Sequence, residues 1–173
     1  MKINIGMDAP LFSGLSVNMG SISLEKYRGK KILLVFGRYF GCPVCQFDFN
    51  LLTKMLKENP LDIQVIYIVQ SSPDVAKKFV EEKGVTFPII PVLKTGGKWP
   101  IYTDYGVGKI RLTSLLELKR RAAAANAAGI QHGPKEGSEL QSPANFIIDE
   151  KGKIIYAHIG LFEPEEILNV LKK

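Results

Sequence analysis

A run of five apolar residues, Ile32-Leu33-Leu34-Val35-Phe36, is followed, after the short stretch Gly37 to Gly41, by Cys42-Pro43-Val44-Cys45. A strand that is apolar at every position has to be covered on both faces, which restricts the chain to a layered α/β arrangement with that strand inside. Beyond the cysteines, Val44, Phe47, Leu51, Leu52, Met55 and Leu56 recur at helical spacing as far as Asn59-Pro60. The cysteine pair therefore sits where a central strand hands over to a helix. With Pro43 at the first helical position, Cys42 becomes the N-cap and Cys45 lies in the first turn. Cys42 would then face free backbone N–H groups and the positive end of the helix dipole, both of which favour a thiolate. CxxC cysteines so placed have pKa values of roughly 3.5 to 7.5 instead of about 8.5. Cys45 is better shielded but within reach of Cys42, so the spacing assigns attack to Cys42 and resolution of the mixed disulfide to Cys45. Arg38 precedes the pair and either adds positive charge there or is simply exposed.

The rest of the pattern extends the layered reading. Leu61 to Val69 is a second β-branched strand, and Ser72-Pro73 supplies an N-cap and first-position proline for a helix ending at Gly84. Val85 to Leu93, broken by Pro88 and Pro91, is a short or kinked strand, and Thr95-Gly96-Gly97-Lys98 is a turn. A weakly helical passage through Tyr102 to Val107 follows. Ser114-Leu115-Leu116-Glu117 has the form of a capping box at the head of a helix reaching Gly129, followed by a polar loop to Ser142. Asn145 to Asp149 and Lys153 to His158 are strands joined tightly at Glu150-Lys151-Gly152, hence antiparallel, and Glu163-Pro164 opens a last helix. Ahead of all this lies an extended lead-in with a hairpin at Asn18-Met19-Gly20 and one helical turn over Ser23 to Gly29. The expectation is a single domain over 1–173, α/β, with a central mixed sheet and helices on both faces. A helical and looped insertion occupies about 108–141, ahead of the final hairpin.

Composition narrows the function. The 173 residues are 46% apolar and 23% charged, enough for one substantial core in a soluble protein. No apolar run approaches the roughly 20 residues of a membrane span, so no membrane partner is expected. Met1-Lys2-Ile3-Asn4-Ile5 has no apolar signal segment, so a cytoplasmic setting is expected, where a lone CxxC is catalytic or metal-binding sooner than a structural staple. Lys and Arg exceed Asp and Glu by 23 − 17 = 6. The excess is spread along the chain without the concentrated stripe that nucleic acid requires. Zinc usually needs four protein ligands, and His132 and His158 are spaced unlike a finger, so no metal and no cofactor are expected. His158 reads as packed or at the surface, His132 has no partner in sequence, and Trp99 reads as packing. Asp48 is explained by the helix dipole alone.

Several segments together carry a family resemblance. Ile5-Gly6-Met7-Asp8-Ala9-Pro10-Leu11-Phe12 resembles a G-x-x-A-P-x-F opening. Ser23-Leu24-Glu25-Lys26-Tyr27-Arg28-Gly29-Lys30 resembles an S-L-x-x-y-r-G-K stretch before the first core strand. Ser142-Pro143-Ala144-Asn145-Phe146-Ile147-Ile148-Asp149, with Gly152-Lys153-Ile154, resembles P-x-x-F-x-I-D-x-x-G-x-I. The chain is similar to the thioredoxin-like superfamily, and within it to peroxiredoxin-like members of the alkyl hydroperoxide reductase/thiol-specific antioxidant (AhpC/TSA) group. The resemblance implies a thioredoxin-like fold, with Pro143 cis and facing the cysteines. It also implies a substrate groove built from Ser142, Pro143, Pro43, Arg38 and Phe40. The peroxidase pattern P-x-x-x-T-x-x-C, laid on Cys45, puts Arg38 at the proline and Cys42 at the threonine, and its distant arginine falls on Pro143. A thioredoxin-type dithiol inside a peroxiredoxin-type frame is what remains. The implied activity is thiol–disulfide exchange with an antioxidant role, on protein or small-molecule disulfides, with a thioredoxin- or glutathione-type reductant. The alternatives are a hydroperoxide-reducing peroxidase using Cys45 or Cys42, and a non-enzymatic redox-sensing or partner-binding domain.

Overall fold

The computed structural model describes residues 3–172. The lead-in pairs Ser13–Ser16 (β1) antiparallel with Gly20–Ser23 (β2). A 3-10 turn over Leu24–Tyr27 then leads into β3 (Ile32–Phe36). After the cysteines come α1 (Pro43–Glu58), β4 (Gln64–Val69), α2 (Pro73–Lys83), β5 (Ile89–Pro91) and the short α3 (Pro100–Asp104). Next are α4 (Leu115–Ala127), β6 (Ala144–Ile148), β7 (Ile154–His158) and α5 (Pro164–Leu171).

Five of these strands form one mixed sheet in the order β5-β4-β3-β6-β7. β3–β4 and β4–β5 are parallel, whereas β3–β6 and β6–β7 are antiparallel. β3 is buried at every residue because its two faces serve two cores. Leu33 and Val35 join Phe49 and Leu52 of α1, Ala76 and Phe79 of α2 and Ile167 of α5. Ile32, Leu34 and Phe36 face the other way, onto Ile22, Leu24, Tyr102 and Tyr105. That second face is covered by the lead-in and the five-residue α3, so full-length helices cover only the first.

Local signals hold where local hydrogen bonds decide them. The Ser72 hydroxyl accepts from Val75 N, and α2 ends at Gly84 in the left-handed conformation. β4 starts at Gln64 instead of Leu61 because Ile32, the first residue of β3, pairs with Gln64 and nothing pairs before it. The capping box at Ser114 does not form. A 3-10 turn over Leu112–Ser114 already puts Ser114 in helical backbone geometry, which an N-cap residue cannot have. No helix among the described residues is long and apolar enough to cross a membrane.

Candidate active site

The loop between β3 and α1 is tied down at nearly every residue. Gly37 N donates to Ile68 O, Gln70 N donates to Arg38 O, Phe40 N donates to the Ser71 hydroxyl, and Cys42 N donates to Tyr39 O. The buried Tyr102 hydroxyl donates to Gly37 O. A side chain at Gly37 would collide with the Tyr67 hydroxyl, so only glycine lets the loop leave the sheet here.

Cys42 caps α1 with an extended backbone (φ −78°, ψ 121°), and Pro43 is the first helical residue. Both cysteines are free thiols, each only 4% exposed. Arg38 is buried beside them, its Nη2 donating to Cys42 Sγ at 2.8 Å and its Nη1 to Glu139 O at 2.8 Å. Its Nε has no partner among the described residues. The Cys42 thiol is pulled down to about 6, first by a hydrogen bond from the Cys45 thiol. The Arg38 charge and the Val44 and Cys45 N–H groups act in the same sense, against burial. Cys45 moves far the other way, because that hydrogen bond, burial and the Cys42 charge all hold its proton. Opposite shifts a turn apart divide the pair into an anionic, attacking sulfur and a protonated, waiting one.

Cys42 opens into a cleft of about 770 Å³. Its floor is Arg38, Tyr39, Cys42, Pro43 and Val44, and its far wall is α4, with the loop after α4 closing the end. Tyr39 Oη donates to Glu139 Oε1 at 3.2 Å and lies 3.3 Å from His132 Nε2. Burial and the neighbouring Cys42 and Glu139 charges push the Tyr39 phenol up to about 12, so it stays a donor.

Beneath the cysteines, Cys45 and Asp48 line a small cavity with Tyr67, Pro143 and Asn145. Asp48 is buried; it accepts from Arg121 Nη1 on α4 and, at 3.0 Å, from Phe162 N. Arg121 continues to Glu163 Oε1 at 2.9 Å. Burial pushes the Asp48 carboxyl up to about 7, outweighing the pull of Arg121 and of the Phe162 N–H, and the Cys45 charge adds to the rise. A carboxyl that titrates near neutrality one turn beyond Cys45 is suited to take the proton that Cys45 must lose.

The structure thus gathers Arg38, Cys42 and Pro43 at the cleft, and Cys45 and Pro143 at the cavity below. Pro143 arrives there by register, since Phe36 pairs with Ala144 and the residue before β6 lands beside the end of β3. Ser142 is buried next to it, its hydroxyl bonded to Pro143 O. Two expectations need correction. No peptide bond among the described residues is cis, so Pro143 is trans. Ser142 N donates to Gly108 O and Pro143 O accepts from Gly160 N, so the ordinary isomer satisfies the backbone on both sides. Phe40 does not face the groove: Ser71 pins its amide, and its ring stacks on Phe79 in the core, centroids 3.8 Å apart.

Local sequence pattern does not mark Asp48, Tyr39, His132, Glu139 or Arg121 as site residues. For Asp48 a signal was present: it shares one face of α1 with Val44, Cys45 and Leu52, all buried, where a dipole-complementing surface acid would not lie. His158 stacks on Tyr156 away from the cleft, and Trp99 packs on the second core. Among the described residues no three His, Cys, Asp or Glu side chains come together as a metal site.

The chain is similar to known proteins over most of its length. The thiol-disulfide oxidoreductase ResA of Bacillus thuringiensis (strain Al Hakam) is 25% identical over 174 residues, spanning 99% of this chain and 79% of that protein. A peroxiredoxin-like protein from Aquifex aeolicus superposes with a TM-score of 0.70 at 16% identity, over 99% of this chain and 88% of that one. A thiol peroxidase from Chromobacterium violaceum does so with a TM-score of 0.68, also at 16% identity, over 99% and 88%. At these identities the two structures speak for the thioredoxin-like fold. The family model described as AhpC/TSA matches residues 5–157, and the chain belongs to the AhpC/TSA family.

Proposed function

We propose that this protein is a thiol–disulfide oxidoreductase in which Cys42 attacks and Cys45 resolves, with an antioxidant role. The observation that carries the reading is the Arg38 guanidinium donating to Cys42 Sγ at the start of α1 while Cys45 keeps its proton. The Cys42 thiolate attacks one sulfur of a substrate disulfide; that S–S bond breaks, and one thiolate leaves and takes a proton from solvent. Cys45 gives its proton to Asp48 and attacks the Cys42 sulfur. The second substrate thiolate leaves, and a Cys42–Cys45 disulfide closes. A thioredoxin- or glutathione-type thiol then returns two electrons and restores both thiols. Pro43 starts the helix that lowers the Cys42 pKa, and Pro143 with Ser142 shapes the Cys45 side. The names and family of the relatives support an oxidoreductase acting on disulfides or peroxides.

A second reading is supported by the Arg38 Nε–H, which is buried beside the sulfur without an acceptor among the described residues. It could hold a peroxide oxygen while Cys42 takes the other oxygen as sulfenic acid and an alcohol or water leaves. Cys45 would then condense with the sulfenic acid, releasing water and forming the same disulfide. The test runs disulfide reduction and peroxide consumption in parallel on the wild type, Cys42→Ser and Cys45→Ser. Disulfide reduction well above that of a free thiol, lost in Cys42→Ser, is expected. Peroxide consumption without disulfide reduction would overturn the first reading in favour of the second.

A further inference from the structure

We infer that the disulfide reduced here is a small molecule with an uncharged, apolar body, held in the cleft between Cys42 and α4, and not an extended polypeptide. The inference rests on the oxidoreductase reading and adds the substrate class to it. An extended peptide binds a sheet-edge site through free main-chain N–H and C=O groups. Main-chain groups of the Gly41 and Ser142-Pro143 segments beside the cysteines are already used within the chain. Ser142 N donates to Gly108 O, Gly160 N to Pro143 O, and Gly133 N to Gly41 O, all at 2.8–2.9 Å. The loop at Gly133-Pro134 lies directly on Gly41, where an added Cβ would collide with the Pro134 carbonyl, so no strand fits between that loop and Gly41.

What stays open is the cleft, and a disulfide must enter it because Cys42 is otherwise buried. Its volume of about 770 Å³ suits a ligand of small-molecule size. Val44, Leu118 and Ile130 give it apolar walls, and the small exposed side chains Ala122 and Ala123 leave its mouth free. Charge selects in the same direction. Arg38, the one lysine or arginine lining the cleft among the described residues, is turned to Cys42 and to Glu139 O. The Glu139 carboxylate is paired with Lys135 at 3.0 Å. Arg38 keeps only a buried Nε–H, and no lysine or other arginine lines the cleft among the described residues, so a substrate carboxylate finds no exposed lysine or arginine to pair with here.

The test follows single-turnover oxidation of the reduced protein by three disulfides. They are butyl 2-hydroxyethyl disulfide, oxidised glutathione, and a linear nonapeptide dimer joined by one disulfide. The butyl compound is expected to react about tenfold faster than either of the others, the advantage that partial burial of a butyl chain supports. Ala122→Trp, which fills the mouth, is expected to remove most of that advantage, with each rate divided by the iodoacetamide alkylation rate of the same variant. Ala123→Trp repeats the measurement should the first variant fold poorly. A peptide dimer or glutathione disulfide reacting as fast as the butyl compound overturns the inference, as does an unchanged ratio in both tryptophan variants. If all three react no faster than with a free thiol, the oxidoreductase reading itself falls.

Discussion

Replacing Arg38 by methionine removes the donor 2.8 Å from Cys42 Sγ while keeping a long side chain in a site that is only 6% exposed. A hydrogen bond to a charged group is worth about 1.5–3 kcal/mol, and a pKa unit corresponds to about 1.4 kcal/mol. The Cys42 thiol should therefore rise from about 6 by roughly 1 to 2 units. The Coulomb attraction at an effective dielectric near 20 and a separation of about 4 Å is about 4 kcal/mol, a ceiling that water entering the vacated site lowers. At pH 7 the thiolate fraction would fall from roughly nine-tenths to between about a half and a tenth. Iodoacetamide alkylation of the reduced protein, followed from pH 4.5 to 9.5, reads this as a shift of midpoint. Each remaining thiolate is more basic and so a better nucleophile, so the variant should be slower near pH 6 yet overtake the wild type above pH 9. Arg38→Lys keeps the charge without the planar fork and should fall between the two. A midpoint still near 6 in Arg38→Met would show that the helix start and Cys45 alone hold the thiolate, and the role given to Arg38 would be wrong.

Asp48→Asn should slow release of the mixed disulfide without moving the Cys42 midpoint, measured as the lifetime of the adduct after a single turnover; an unchanged lifetime argues against Asp48 as proton acceptor. The same variant bears on stability. The native Asp48 titrates near 7 against about 3.9 unfolded, so between those values the native state binds more protons and its stability falls as pH rises through 7. Urea midpoints compared at pH 5 and pH 8 should show a smaller drop in Asp48→Asn than in the wild type. Phe40→Ala removes a ring that is 3% exposed and stacked on Phe79, and should cost about 3–5 kcal/mol in urea unfolding. A loss under about 1 kcal/mol would place Phe40 in the groove after all. Gly41→Ala pushes against the Pro134 carbonyl and should destabilise the fold by about 1–3 kcal/mol. Limited proteolysis should also speed cleavage at 130–139, and an unchanged rate would mean the loop does not rest on Gly41.

The parts of this site that could be read from the sequence are those fixed by near neighbours. An apolar run reports a doubly covered strand because Leu33 and Val35 must find one core and Leu34 and Phe36 another. Pro43 sets the first helical turn by its own backbone geometry, which places Cys42 at the cap and Cys45 inside. The partners of these residues lie beyond the reach of local pattern. Asp48 meets Arg121 across 73 positions and Tyr39 meets His132 across 93, so only the packing of α4 and its loop onto α1 shows that they belong together. Arg38 is only four residues from Cys42, yet its burial depends on Glu139 O, 101 positions away. Phe40 turns inward for a similar reason, because Ser71 fixes its amide from the end of β4. The hydrogen bonds of Ser142 N to Gly108 O and of Gly160 N to Pro143 O join segments that no local motif relates.

The central claim is that Cys42 attacks and Cys45 resolves, and trapping the intermediate tests it most directly. Reduced Cys45→Ser and Cys42→Ser proteins are each given one equivalent of a small disulfide at pH 7 and examined by intact mass and peptide mapping. The account predicts a lasting mixed disulfide on Cys42 in Cys45→Ser and little or no adduct in Cys42→Ser, where Cys45 stays buried beneath the cleft. A stable adduct on Cys45 in Cys42→Ser, with none on Cys42 in the other variant, would contradict it.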